Sequence, residues 1–463
     1  MDAFLLGLKS LVDTLGATIL LPLIIFVFAL VLGAKPGRAF RAAVTIGIAF
    51  IGINLIIGLM WGTLSDVAQA MVKSFNIQRD VVDVGWPSAA AIAFGSQVGL
   101  WVIPIALIVN VVLLLLRLTK TLNIDLWNFW HFAFIGSMIV AVSGNLVYGL
   151  IGAAIAAALA LFLGDWTAKA VQSFYNLPGI SIPHLTTAPG VPFAIITNWI
   201  VDRIPGLKDL DADPETIRKN WGIFGEPIVM GLVIGLILGI LGYMPLINDG
   251  VKFLTKVLMT GMNLAAVMLL LPRMVQILME GLIPISEAAR DFMQKRASGR
   301  EIYIGLDSAI LIGHPAAISS SLVLVPIAIL LSIILPGNRV ILFADLAIIP
   351  FVVAMMAPLM RGNIVRMIIA GTLELLVGFY LATSMSPLFT EAAKGAGFKF
   401  PEGAVNITSI GDGFLWTPWF FTRMTQYLGI FGLVIVAALL AVVWFFYMKN
   451  TKAWEIAAGG PKE

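Results

Sequence analysis

The chain has no cysteine, which excludes disulfides, thiolate nucleophiles and cysteine-ligated metals. Charge is scarce as well: 12% of the 463 residues are Asp, Glu, Lys or Arg, against roughly 25% in a soluble domain. A Gly-rich phosphate loop ending in Lys-Ser/Thr is missing, so the chain does not power itself with ATP. Its three histidines are not spaced as paired ligands on one helix face, so no metal site is expected. Lys and Arg are scattered through loops instead of forming a patch, and the net charge of +3 carries no nucleic-acid footprint.

What is abundant is apolar surface, at 60% of residues. A soluble core cannot absorb that much, whereas a bilayer can, because each span takes about 20 apolar residues to cross roughly 30 Å. Gly 44 and Pro 23 are also numerous, as membrane bundles tolerate. The pattern predicts an all-α membrane protein with about eleven spans, near 14–33, 42–62, 99–116, 127–143, 146–163, 222–243, 253–272, 320–335, 340–359, 364–383 and 426–447. Leu11–Gly33 lacks a basic start and a cleavage site, and is expected to be a span and not a signal peptide.

Basic residues follow every odd-numbered span: Lys35, Arg38 and Arg41; Arg117 and Lys120; Arg203, Lys208, Arg218 and Lys219; Arg273 to Arg300; Arg361 and Arg366; Lys449 and Lys452. The positive-inside rule then puts the N-terminus outside and the C-terminus in the cytoplasm.

The chain also resembles itself. Gly33 and Pro36 match Gly242 and Pro245, and Asn54-Leu55 matches Asn263-Leu264. Gly85-Trp86-Pro87-Ser88 matches Gly313-His314-Pro315-Ala316, and Ile103-Pro104 matches Val325-Pro326. Asp125-Leu126 pairs with Asp345-Leu346, and Gly144-Asn145-Leu146-Val147 with Gly362-Asn363-Ile364-Val365, all in order at offsets of 209–228. Each unit holds five spans, an odd number, so the second copy is expected to be inverted, as in secondary transporters. The division is residues 1–205, a cytoplasmic loop 206–221, a second repeat 222–400, and a final span and tail 401–463. The Gly-x-Pro points at Trp86–Pro87 and His314–Pro315 are expected to be re-entrant turns whose tips meet the solute, with ordinary proline kinks as the alternative.

Polar residues inside apolar segments are site candidates. His131 shares a helical face with Asn128 and Trp127. His314 sits at a predicted turn tip, and His184 lies in the proline-bounded Gly179–Thr187 segment. A single histidine is as readily a packing residue as a ligand. Glu374 stands mid-span, and with Asp307 is preferred to Asp345 and to Glu226, which opens a helix. A sugar or polyol is held by planar hydrogen-bonding groups and aromatic faces, which suits Trp86, Pro87, Ser88, Asn128 and His131, with His184, Asp307, His314 and Glu374 completing the set.

Two segments, Gly179-Ile180-Ser181-Ile182-Pro183-His184 and Trp221-Gly222-Ile223-Phe224-Gly225-Glu226-Pro227-Ile228, together with the repeat, resemble the galactitol-type enzyme IIC of the bacterial phosphotransferase system, over roughly residues 5–450. The resemblance implies a homodimeric, elevator-type carrier in the lipid of the cytoplasmic membrane. It would bring in a polyol for phosphorylation by separate IIA and IIB proteins, since this chain has no cysteine to carry the phosphate. The family's core histidine falls on His184 and its first tip on Trp86–Ser88. No cofactor is implied. The competing function is an ion-coupled secondary transporter using Glu374 and the histidines as a proton relay. A passive channel fits inverted, broken-helix units poorly.

Overall fold

The computed structural model describes residues 19, 22–27, 29–31, 33–74, 79–210, 212–221, 226–296, 301–342, 344–400 and 404–462. A short apolar helix, α1 (Pro22–Val31), precedes the long α2 (Pro36–Ser74). Strand β1 (Val81–Asp83) leads into α3 (Trp86–Gly95) and α4 (Gln97–Leu115). Strand β2 (Thr121–Asn123), a 3-10 turn at Trp127–Phe129, α5 (Trp130–Ser143) and α6 (Leu146–Phe174) follow. Next come β3 (Ile180–Ser181), α7 (Val191–Val201), α8 (Pro214–Trp221), α9 (Pro227–Tyr243) and α10 (Gly250–Arg296). The remainder is β4 (Tyr303–Gly305), α11 (Pro315–Ile334), β5 (Val340–Ile341), α12 (Ile349–Ala354), α13 (Met356–Leu359), α14 (Ile364–Gly395), β6 (Asn406–Thr408), α15 (Ile410–Gly413), α16 (Trp416–Leu428), α17 (Ile430–Lys449) and α18 (Thr451–Ala457).

Among the described residues, eight helices are long and apolar enough to cross a membrane, with Pro22–Val31, Trp127–Ser143 and Ala188–Val201 as shorter apolar ones. Ten of the eleven expected spans correspond to helices or parts of helices, although 14–18, 20–21, 28, 32 and 222–225 lie outside the described residues. The expected span 340–359 is corrected: β5, a 3-10 turn at Leu346–Ile348, α12 and α13 replace it. Its apolar run satisfied a hydropathy window because it is buried inside the protein, where Ile349, Val353, Ala354 and Met356 are fully covered. Irregular backbone at such depth survives only under that cover.

The repeated motifs have local explanations. Asn145 and Asn363 both cap helices, accepting from Val147 N at 2.9 Å and Arg366 N at 3.1 Å, and each follows a glycine with positive φ. The Pro87 and Pro315 sites both open helices, where a missing N–H costs nothing. Gly85, at φ 80, makes the strand-to-helix corner, and an added Cβ there would lie 3.3 Å from the Cβ of Ala344. His314 caps α11 by accepting from Ala316 N at 3.2 Å.

Among the described residues, six short strands, which the sequence pattern did not predict, form two parallel three-stranded sheets ordered β5-β1-β6 and β2-β4-β3. In each, the middle strand comes from one half of the chain and both edge strands from the other. Strands of two or three residues are too brief to show a period of two.

Helices α2, α9 and α10 pack as one bundle. Glycine allows the closest approach: a Cβ on Gly235 would sit 2.7 Å from both Gly261 Cα and Thr260 O. Across the bundle Asn263 donates to Thr63 Oγ1 at 3.1 Å. Helices α4, α6, α11 and α14 pack against the strands of the two sheets.

One end of the molecule gathers several loops. Glu301 binds Lys120 at 3.3 Å and Lys169 at 2.9 Å, and accepts from the Tyr303 hydroxyl at 2.8 Å. Burial pushes Glu301 up, but the bonds from Lys169 and Tyr303 and the two lysine charges outweigh it, holding the carboxyl at about 2 instead of 4.5. Its stabilising effect is therefore complete above about 4.5 and lost as pH falls through about 2. Glu301 is 51% exposed, so solvent screens the pairs and the effect is small. Melting curves of the protein and of Glu301→Gln should differ by a small constant amount near neutrality and converge below the carboxylate range.

Candidate functional site

The two sheets bring distant segments to one cavity of about 370 Å3, within the roughly 300–1,000 Å3 usual for small-molecule sites. One wall is the α2 face carrying Phe50, Asn54, Ile57 and Trp61, spaced as one helical stripe. The opposite wall comes from the turns after the strands: Trp86 after β1, Trp127 and Asn128 after β2, His184 and Thr186 after β3, Asp307 after β4 and Asp345 after β5. Trp130 and His131, in the first turn of α5, complete it.

The polar atoms are ordered among themselves. His131 Nδ1 lies 2.8 Å from Asp412 Oδ2, with the two side chains 1% and 0% exposed. His131 Nε2 faces the Thr186 hydroxyl at 3.3 Å, and that hydroxyl also reaches Gly411 O at 3.3 Å. The His184 ring stands edge-on to His131 with centroids 4.7 Å apart, and its Nδ1 accepts from Thr186 N at 3.3 Å. On the other side His184 Nε2 is 3.8 Å from Asp307 Oδ1, an electrostatic contact too long for a hydrogen bond. Asn128 donates to Asp125 at 2.6 Å, which fixes its amide plane at the wall. Trp130 packs on His131 with centroids 4.0 Å apart and the rings tilted by 32°.

Of the residues singled out from the sequence, Trp86, Asn128, His131, His184 and Asp307 share this cavity. Pro87 and Ser88 lie behind Trp86 in the first turn of α3 and do not line it. His314 packs on Phe174 and Tyr175, with centroids 4.6 and 5.4 Å away, off the cavity. Glu374 is buried in α14 with neither carboxyl oxygen partnered, facing Gly190 and not the cavity.

Thr186, Trp61, Trp130 and Asp412 escaped sequence reasoning. For Asp412 the available signal was an acid flanked by glycines in an apolar stretch, Ile410-Gly411-Asp412-Gly413. Indole faces, imidazoles, an amide and a carboxylate around one space suit a small polyhydroxylated molecule, with stacking on its carbon face and hydrogen bonds to its hydroxyls. Among the described residues that line the cavity there is no Lys or Arg to offer a fixed negative group a counter-charge.

Comparison with known proteins identifies the family. The EIIC-GAT family, described as the PTS system sugar-specific permease component, matches residues 11–403. The chain is 40% identical over 441 residues to the PTS system galactitol-specific EIIC component of Escherichia coli strain K12, covering 95% of each protein. It is 38% identical over 437 residues to the Putative permease IIC component of the same strain, covering 94% of this chain and 98% of that one. With the family matched along most of its length, this many-helix chain belongs to EIIC-GAT and is a sugar-specific permease component of the phosphotransferase system.

Proposed function

We propose that the chain imports a neutral hexitol of the galactitol class, held in the cavity between α2 and the sheet turns, for phosphorylation by a separate IIB protein. The observation that carries this is the cavity wall itself: Trp61, Trp86, Trp127 and Trp130 with His131, His184, Asn128 and Asp307, and no cationic side chain among the lining residues. A neutral polyol loses nothing there, whereas a sugar phosphate would meet acidic groups with no partner. The product is thereby disfavoured in the site that bound the substrate.

Transport by alternating access rests on an inverted repeat, with residues 1–205 and 222–400 as the copies, the linking loop 206–221 on the cytoplasmic side and the final span and tail in 401–463; the 3-10 turn at Leu346–Ile348 with α12 and α13 takes in the second copy the place of the 3-10 turn at Trp127–Phe129 with α5 in the first. The matching strand orders β5-β1-β6 and β2-β4-β3 support it. The α2, α9, α10 bundle is the proposed fixed scaffold of an elevator-type homodimer, against which the core carries its half of the cavity. For the orientation, with the C-terminus in the cytoplasm of a bacterial inner membrane, basic loops gather at one end. Arg366 meets Asp202 at 2.6 Å and Lys208 O at 3.0 Å, while Lys120 and Lys169 share Glu301.

Proteoliposomes holding this chain, supplied with galactitol-type IIA and IIB proteins and a phosphoryl donor, should accumulate galactitol only as its phosphate. Concentration of unmodified galactitol on a proton or sodium gradient alone would overturn the proposal. That outcome would favour the ion-coupled alternative, for which the unpartnered carboxyl of Glu374 is the supporting observation.

A further inference from the structure

We propose that Asp345 is a positioning residue that assembles the polyol site by holding two distant turns against each other, an inference that rests on the function proposed above. Asp345 is fully buried, and both of its oxygens are occupied. Oδ1 accepts from Trp86 N at 2.6 Å, at the corner between β1 and α3. Oδ2 accepts from Ser409 Oγ at 2.5 Å, Ile410 N at 2.8 Å and Gly411 N at 3.4 Å, in the turn after β6. Its own N–H donates to Asp83 Oδ2 at 2.7 Å, and Asp83 Oδ1 accepts from Gly85 N at 3.0 Å, closing the corner. Hydrogen bonds to a carboxylate are short and strong, and few side chains could gather donors from segments so far apart in sequence.

Each of those donors belongs to something that shapes the cavity. Trp86 presents its indole directly. Gly411 lies where an added Cβ would be 3.2 Å from the Trp86 Cβ and 3.3 Å from the Trp130 ring, and its carbonyl takes the Thr186 hydroxyl. One residue further, Asp412 reaches His131 Nδ1 at 2.8 Å and sets the ring so that Nε2 points toward Thr186. The path from Asp345 to the substrate face of His131 therefore runs through the 409–412 turn. Asp345 lines the cavity, but with its lone pairs committed it acts through Trp86 and His131 and not as a first contact.

The test uses the full chain in lipid, with its histidines labelled at the ring nitrogens; the sequence holds only three, so the spectrum can be assigned. Asp345→Asn keeps the size but presents an amide N–H to donors that need an acceptor. The His131 ring-nitrogen signals should shift in Asp345→Asn in the same direction as in Asp412→Asn, while those of His314 stay in place and report an intact fold. Ser409→Ala, which removes one donor, should give a smaller shift of the same sign and stands in if Asp345→Asn does not fold. In the same preparations Asp345→Asn should raise the galactitol KM about tenfold, the equivalent of one lost buried hydrogen bond, with Vmax much less affected. Folded variants at Asp345 and Ser409 whose His131 signals match the unmodified protein would overturn the proposal. The ring-nitrogen readout needs no substrate. Failure of the unmodified protein to bind galactitol would thus count against the proposed function alone, while Asp345 is still judged.

Discussion

His131→Ala is expected to weaken galactitol-dependent phosphorylation by about five- to 150-fold, the equivalent of about 1–3 kcal/mol for a buried polar group left without its partner. The side chain is 1% exposed and pairs with Asp412, which is 0% exposed and has its other oxygen unpartnered. Removing the imidazole therefore strands Asp412 in a place where water cannot reach it, and also deletes a hydrogen-bonding face from the cavity. These two consequences separate in a double-mutant cycle. If the stranded carboxyl dominates, His131→Ala with Asp412→Ala should cost less than the sum of the single changes, because neither partner is then left behind. If the lost contact to substrate dominates, His131→Ala alone should account for nearly the whole defect in KM. A His131→Ala protein with unchanged uptake would remove this histidine from the site.

The second large effect is structural and lies far from the cavity. Gly235→Leu should abolish recovery of monodisperse protein, and Gly235→Ala should lower the melting temperature by a smaller amount. The reason is the nature of the obstructing atoms. A Cβ at position 235 meets Gly261 Cα and Thr260 O, each at 2.7 Å, and backbone cannot swing aside as a side chain can. Separating α9 from α10 then loosens the packing at Gly231 and Gly239 as well, where added Cβ atoms would be 2.7 Å from Leu264 O and 2.9 Å from Val257 Cα. Overpacking of this kind costs about 1–3 kcal/mol or more. Gly62→Ala is the control: nothing lies within 4 Å of a Cβ there, and helix propensity favours alanine. A folded, active Gly235→Leu protein would mean that α9 and α10 are not in contact at this level.

The role of His131 was announced by the sequence only in part, and that of Gly235 not at all. His131 stood out because an imidazole in an apolar helix is costly, and Asn128 because it lies three residues before it on the same face. The partner of His131, Asp412, is 281 positions away along the chain, and no periodicity connects the two. The same holds for Asp345, which the sequence ranked below Glu374 and Asp307. Its carboxylate joins the corner at Trp86 to the turn at Ser409–Gly411, two segments that no local pattern relates. His314, by contrast, occupies the position that matches Trp86 in the other half, and packs on Phe174 instead of lining the cavity.

The many-helix membrane architecture was determined by the sequence alone, because hydrophobicity and the cost of unpaired backbone in lipid leave few other solutions. The asparagine caps at 145 and 363 and the proline-led starts of α3 and α11 also depend only on neighbours within a few residues, although the sequence pattern pointed to re-entrant turns at Trp86–Pro87 and His314–Pro315. The absence of cysteine likewise kept thiol chemistry out of this permease component from the start. Only the tertiary structure decided that the apolar run 340–359 is buried irregular chain and not a span, because a hydropathy window cannot distinguish protein from lipid as the covering medium. It also decided which polar residues share the cavity. Those contacts cross between the halves of the chain through strands of two or three residues, too short to leave a pattern and paired by partners that no local rule can name.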